Sequence, residues 1–243
     1  MPACDPEMVE IKAVLLDAGG VFHVPSEEGV RQALAEVGFV LPPGQVLRAH
    51  YAAVRAQDGH EGEPAVVADS VYVDAFARAL NIPEGTVEAA TTGISSYFKQ
   101  PGSWAGLIED SVDALPGIAA TGVKVAVVSN ADGTVEERLR EEGILQVGEG
   151  RGVPVSAVID SSRVGVAKPD PRIFSFALRA LEVAPEEAVH VGDSVLADVG
   201  GARAAGIRPL HLDPFGECEF DDHEHIRSLH EVIDLIEAGH LAL

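Results

Sequence analysis

The chain has 243 residues, 47% of them hydrophobic, with 25 glycines and 15 prolines placed as turn punctuation and a formal net charge of −22. That length suits one large domain or a core carrying a smaller insertion, and so acidic a surface repels nucleic acid and anionic lipid, so neither is expected as a partner. No internal repeat, no apolar run long enough for a membrane span and no basic-then-apolar leader is visible, and Cys4 and Cys218 do not make a disulfide framework, so a cytoplasmic location is the expectation.

Ala13 to Leu16 is an apolar run without polar alternation and reads as a fully buried strand ending at Asp17. A carboxylate at the end of a buried strand is costly unless something compensates it. Gly19 and Gly20 follow, so the backbone can turn tightly and approach a ligand. In an open α/β sheet, ligands sit beyond the carboxyl ends of the strands, which makes Asp17 a candidate nucleophile or metal ligand.

The next segment is helical in pattern. Ser26 suits an N-cap with Glu27 and Glu28 in the first turn, Val30, Ala33, Leu34 and Val37 share one face, and Gly38 ends it. Further helical patterns cover 45–56, 64–80 and 84–98, with a polar loop from Gln57 to Glu63. No strand is expected between Pro25 and Pro101, so residues 23–103 read as an inserted helical domain.

The α/β alternation resumes beyond residue 103. A helix over 110–121 should be kinked or divided at Pro116-Gly117. A buried strand over 123–128 ends at Ser129-Asn130, a short helix over 134–142 stops at Gly143, and a short strand covers Ala157–Asp160. Asp170-Pro171 reads as N-cap and first residue of a helix with Ile173, Phe174, Ala177, Leu178 and Leu181 on one face. A strand over Ala188–Gly192 ends at Asp193. A helix over 195–205 stops at Gly206, a strand covers 207–212, and an amphipathic helix over 226–238 closes the chain. Between those last two elements lie Cys218, His223 and His225; the two histidines lack helical ligand spacing, and 217–225 reads as a solvated acidic loop. Alternating strands and helices imply a parallel sheet with right-handed crossovers. The expected architecture is a doubly wound, Rossmann-like α/β core, residues 1–22 and 104–243, with a helical domain inserted between them.

Buried strands thus end at Asp17, at Ser129-Asn130 and at Asp193, and Lys168 stands on a loop at the same edge. This pattern resembles the haloacid dehalogenase superfamily, most of whose members are magnesium-dependent phosphatases. Its first motif looks like Leu15-Leu16-Asp17-Ala18-Gly19-Gly20-Val21, its second like Val125 to Asn130, its third like Gly165-Val166-Ala167-Lys168-Pro169-Asp170, and its fourth like Val191-Gly192-Asp193-Ser194-Val195-Leu196-Ala197-Asp198. The insertion is similar to the family's helical cap. Carried over by position, the resemblance implies that Asp17 attacks phosphorus and forms an aspartyl-phosphate. It implies that Asp17, the Gly19 carbonyl and Asp193 hold Mg2+, with Gly192 beside them. Ser129 and the backbone around Ala18, Gly19, Gly20 and Asn130 would hold the phosphoryl oxygens, Lys168 would offset the crowded negative charge, and Asp198 would assist through Lys168 or a water. The implied partner is a small phosphorylated molecule, met by a monomer or homodimer.

One position departs from the pattern. Phosphatases of this family usually carry a second Asp two residues after the nucleophile, and here that position is Gly19, which has no side chain to move a proton. Three readings stay open: a substrate with a good leaving group; proton transfer by another group, with His23, His50 or His60 as candidates; or binding without efficient turnover. The family's dehalogenases also lack the second acid, but Gly192-Asp193 with Asp198 argues against halide chemistry. Tyr51 and Arg55 in the helical block are further candidates for substrate contact.

Overall fold

The computed structural model describes residues 9–59 and 65–238. They form two compact units, one built from the chain up to Val21 together with the chain from Glu109, the other from Phe22–Ile108. The first strand, β1 (Ala13–Leu16), is fully buried. The chain then enters the second unit through β2 (His23–Val24).

Four helices follow. In α1 (Glu27–Ala35) the Ser26 hydroxyl accepts the Gly29 N–H at 3.4 Å, and Val30 and Leu34 face inward. Next come α2 (Gln45–Asp58), α3 (Ala65–Ala79) and α4 (Glu84–Phe98). Their apolar faces meet in a core that includes Val46, Ala49, Phe76, Leu80 and Ile94. The segment leaves through β3 (Gly106–Leu107), which pairs antiparallel with β2. This two-residue ribbon is not visible in the sequence, because two residues are too few to show alternation.

The first unit resumes with α5 (Glu109–Ala120), which runs unbroken through Pro116, contrary to the expected division. Ser111, Ala114, Leu115 and Ile118 are buried along one face, and packing against the closing helix holds the turn despite the missing N–H. After it come β4 (Lys124–Ser129), α6 (Val135–Glu141) and a small parallel ribbon of β5 (Leu145–Val147) and β6 (Val153–Val155). Then follow β7 (Ala157–Asp160), α7 (Ser161–Val164) and α8 (Arg172–Leu181). Pro171 serves as N-cap of α8, one residue later than the sequence suggests, and the Asp170 carboxylate accepts the Arg172 N–H at 3.0 Å.

Beyond β8 (Ala188–Gly192), the expected single helix over 195–205 is instead a π-helical turn, Val195–Gly200, continuing into α9 (Gly201–Ala204). The Ser194 carbonyl accepts both the Asp198 N–H at 3.0 Å and the Val199 N–H at 3.1 Å, so one extra residue is accommodated in the turn. The end of the chain differs as well. After β9 (Arg208–Leu212), residues Glu224–Ile226 form a further strand, β10, and the last helix, α10, covers only His230–Glu237. Ile226 is buried while Glu224 and His225 are partly exposed, a pattern that sequence periodicity reads as the start of an amphipathic helix.

The central sheet has six strands in the order β10-β9-β8-β1-β4-β7, every neighbouring pair parallel. On one face Ala13, Leu15, Ala126 and Val128 pack against Ile173, Phe174, Ala177 and Leu181 of α8. This is the doubly wound α/β core that the strand–helix alternation predicts.

Candidate active site

Three adjacent strands, β8, β1 and β4, run in the same direction in register, with Leu16 opposite both Val127 and Val191. Their carboxyl ends therefore lie side by side. Asp17 extends β1 by one residue, its N–H donating to the Val191 carbonyl at 2.9 Å. Ser129 ends β4, and Asp193 follows β8 directly. All three are buried, although their polar side chains belong at a surface, so the local compensation must be specific.

Lys168 supplies it. Its side chain is 1% exposed, and Nζ lies 2.8 Å from Asp17 Oδ2 and 2.6 Å from Asp198 Oδ1. Burial works against the ammonium, yet the two carboxylates raise its pKa to about 12. Asp17 is pushed up, chiefly by burial, with Lys168 opposing and the Asp198 charge adding. Burial would raise Asp198 too, but Lys168 and His190 overcome it and hold this carboxyl far below the usual range. Of the two acids that share the lysine, Asp198 is thus the fixed anion and Asp17 the one whose charge is held at a cost. The Ser129 hydroxyl also hydrogen-bonds the Asp17 carboxylate, and the Ala18 N–H donates to Asp17 Oδ1 at 2.7 Å.

The loops around this cluster are pinned. Asn130 brackets the Lys168 backbone, its Nδ2 donating to the Lys168 carbonyl at 3.0 Å and its Oδ1 accepting the Lys168 N–H at 2.8 Å. Its side chain therefore positions the lysine. Asp160 accepts the N–H groups of Gly133 at 2.8 Å and Ser162 at 2.9 Å, tying the loop after β4 to the start of α7. Ser194 caps the π-helical turn, accepting the Ala197 N–H at 3.0 Å, and donates its own N–H to Asp198 Oδ2 at 3.1 Å. His190 completes the set, with Nε2 2.8 Å from Asp198 Oδ1 and Nδ1 3.2 Å from the Leu15 carbonyl. Sequence reading passes over His190, which sits in the middle of an apolar strand like a core residue. The only signal is a polar side chain inside a fully buried strand, opposite Leu15 in register.

Two glycines are required by contact. A Cβ on Gly192 would lie 2.1 Å from the Asp198 carboxylate carbon. One on Gly20, at φ +66°, would lie 1.9 Å from Asp193 Oδ2. Gly20→Ala is therefore expected to destabilise the protein by about 2–5 kcal/mol, combining left-handed strain with overpacking. Gly165→Ala, at φ +71° with open space around it, should cost only about 1–2 kcal/mol. Urea midpoints of the two variants check this; equal losses would mean that contact with Asp193 is not what fixes Gly20.

Carboxylate oxygens of Asp17, Asp193 and Asp198 lie within 4.8 Å of one another. Oxygen donors of this kind fit a hard cation such as Mg2+. Asp17 and Asp198 share Lys168, and Asp198 also takes His190 and the Ser194 N–H, so Asp198 is the more heavily engaged of those two.

The remaining candidates belong to the second unit. His23 is buried in β2, opposite Leu107. His50 and Tyr51 are buried in α2; His50 Nδ1 lies 2.7 Å from the Tyr72 hydroxyl, and its ring meets those of Tyr51, Tyr72 and Trp104 edge-on. Arg55 is half-buried one turn further along α2. His60 lies outside the described residues.

Comparison with known proteins gives the same assignment as the motifs. A family model described as haloacid dehalogenase-like hydrolase matches residues 11–206. The chain is 36% identical over 138 residues to a phosphoserine phosphatase of Thermus thermophilus, covering 57% of this chain and 53% of that protein. It is 37% identical over 123 residues to haloacid dehalogenase-like hydrolase domain-containing protein 3 of Bos taurus, covering 48% of this chain and 46% of that one. The chain thus spans about half the length of the curated relatives it matches. Among solved structures, the HAD phosphatase from Thermococcus onnurineus superimposes with a TM-score of 0.56 at 21% identity, covering 93% of this chain and 98% of that one, which establishes the shared fold. Among the described residues no helix is long and apolar enough to cross a membrane. With its motifs at the ends of adjacent parallel strands and most of its length matched, the chain belongs to the haloacid dehalogenase-like hydrolase family.

Proposed function

We propose that this hydrolase is a magnesium-dependent phosphatase of small phosphorylated metabolites, with Asp17 as nucleophile and residues 23–103 as the cap that sets specificity. The observation that carries this reading is Lys168 Nζ held between Asp17 and Asp198, with Asp193 beside them. Phosphoryl transfer is mostly positioning and charge stabilisation, and this cluster supplies both. The phosphatase-named relative supports the choice within the family.

A carboxylate oxygen of Asp17 attacks phosphorus while the bond to the leaving oxygen breaks, giving an aspartyl-phosphate. Water then attacks that phosphorus and the P–O bond to Asp17 breaks, so the carboxylate is restored and inorganic phosphate leaves with the water's oxygen and its protons. Ser129 and the N–H groups of the loops after β1 and β4 hold the phosphoryl oxygens, and Lys168 keeps Asp17 aimed and offsets the charge. A divalent cation on Asp17, Asp193 and the Gly19 carbonyl would neutralise phosphoryl charge when bound. Asp198 acts through Lys168 as a positioning residue.

Gly19 limits the chemistry. With no carboxyl two residues after Asp17, the leaving oxygen departs unprotonated, which favours acyl and aryl phosphates over alkyl ones. The expected result is magnesium-dependent phosphate release from acetyl phosphate and p-nitrophenyl phosphate, and little from glycerol phosphate. Gly19→Asp should raise glycerol phosphate turnover by about 10²–10⁴-fold, the usual contribution of general acid–base catalysis. Phosphate release only in Gly19→Asp would favour the second reading that Gly19 suggests, a phosphate-ligand binder without efficient turnover. Halide release from a 2-haloacid without magnesium would overturn both.

A further inference from the structure

A second cluster lies further along the same sheet and does not depend on the chemistry assigned to Asp17. β9 and β10 run parallel with His225 directly opposite His211. His223 precedes β10, and in an extended segment residues two apart share a face. Residues 217–223 are the loop that the sequence suggests, exposed at 219–222, but 224 and 225 belong to β10, and His223 and His225 are half-buried beside His211. The ring centroids of His223 and His225 lie 4.4 Å apart, those of His211 and His223 5.0 Å, and those of His211 and His225 5.2 Å. The intervening loop is folded onto Asp213, whose carboxylate accepts the Glu217 N–H at 3.1 Å and the Cys218 N–H at 2.9 Å. That brings Cys218 Sγ to 3.9 Å from His223 Nε2.

The hydrogen bonds choose which atom each ring presents. His211 Nε2 donates to the Asp193 carbonyl at 3.0 Å, and His223 Nδ1 to the Asp222 carboxylate at 2.8 Å. In neutral rings those bonds leave lone pairs on His211 Nδ1 and His223 Nε2, which face each other at 2.9 Å with no proton between them. His225 Nε2 is buried without a hydrogen-bond partner. One ligand-type atom from each of His211, Cys218, His223 and His225 lies within 4.8 Å of every other. Zinc bond lengths place neighbouring ligand atoms of a tetrahedron about 3.3–3.6 Å apart, within the range spanned here.

We propose that His211, Cys218, His223 and His225 hold one borderline-soft divalent cation of the zinc type in a closed tetrahedral site. Three imidazole nitrogens and a thiolate select such an ion over Mg2+. Four protein ligands leave no position for substrate, so the ion is structural. Asp222 on His223 and the Asp193 carbonyl on His211 orient the rings, the usual outer-shell arrangement. Binding releases the Cys218 proton and fastens the 213–223 loop to the sheet. Through His211 it also steadies the backbone of Asp193.

The test uses the full chain, free of affinity tag and reduced, in excess magnesium to fill the carboxylate site. Co2+ should bind with one equivalent, giving the intense visible absorption of a tetrahedral site and a near-ultraviolet thiolate band. Zn2+ should displace it. Cys218→Ser should lose the thiolate band, and Asp222→Asn should weaken Zn2+ binding about 10–100-fold while keeping the tetrahedral spectrum. Should Cys218→Ser fail to fold, the wild-type spectrum decides alone. Weak octahedral absorption, no thiolate band, or less than one equivalent of Zn2+ taken from a chromophoric chelator would overturn the site.

Discussion

Replacing Asp17 with Asn should reduce phosphate release by a factor on the order of 10⁴–10⁶, the range seen when a covalent nucleophile is removed. The amide keeps the shape of the side chain but cannot form the acyl-phosphate bond. Folding should survive. Burial holds the Asp17 carboxyl above its usual range, so its charge is carried at a cost in the folded protein. Lys168 keeps Asp198 as a partner at 2.6 Å when the Asp17 charge goes. Urea midpoints of Asp17→Asn and wild type should therefore agree to within about 1 kcal/mol. The phosphoenzyme trapped from wild type by rapid acid quench should be missing from the variant. Undiminished turnover, or a phosphoenzyme still present in Asp17→Asn, would remove Asp17 as the nucleophile.

Why some of this was legible in the sequence and some was not has a physical basis. Parallel strands buried on both faces are apolar throughout, so the polar residue that ends each one stands out. Asp17, Ser129 and Asp193 were visible for that reason, and the sheet brings them together because β8, β1 and β4 are neighbours. Lys168 was visible because Lys-Pro-Asp-Pro marks a stiff loop. Direction was harder to read than position. Asn130 reads as a phosphate contact, yet its amide is spent on the Lys168 backbone, a pairing 38 residues apart that no local pattern records. His190 is hidden by the strand that carries it. The π-helical turn at Val195–Gly200 differs from an ordinary helix by one extra residue, which periodicity does not resolve. The same limit hid the four-residue cluster around His211. Its members come from β9, a loop and β10, and the spacing of the His223–His225 pair makes sense only once the segment is known to be extended.

Lys168→Met should be the most damaging single change in the core. The lysine is almost fully enclosed and faces two carboxylates, at 2.8 and 2.6 Å. Removing one partner of a buried ion pair strands the charge that remains, at a cost of about 3–5 kcal/mol. Asp198 retains His190 and the Ser194 N–H, so most of the loss falls on Asp17, which is then driven further toward its protonated form. Without the ammonium that aims Asp17 and offsets phosphoryl charge, activity should disappear together with stability. The pH dependence separates an electrostatic role from simple packing. The folded-state pKa of Lys168 is raised, from 10.5 to about 12, so the folded protein binds this proton more tightly than the unfolded chain does. That contribution is fully present below about 10.5 and is lost as pH rises through about 12. The stability gap between wild type and Lys168→Met, read from urea midpoints, should accordingly be constant from neutral pH to about 10.5 and narrow towards about 12. It should also narrow in acid, where protonation neutralises the stranded Asp17. A gap that stays the same across the whole range would mean that Lys168 fills space at this site and that its charge does not hold Asp17 in place.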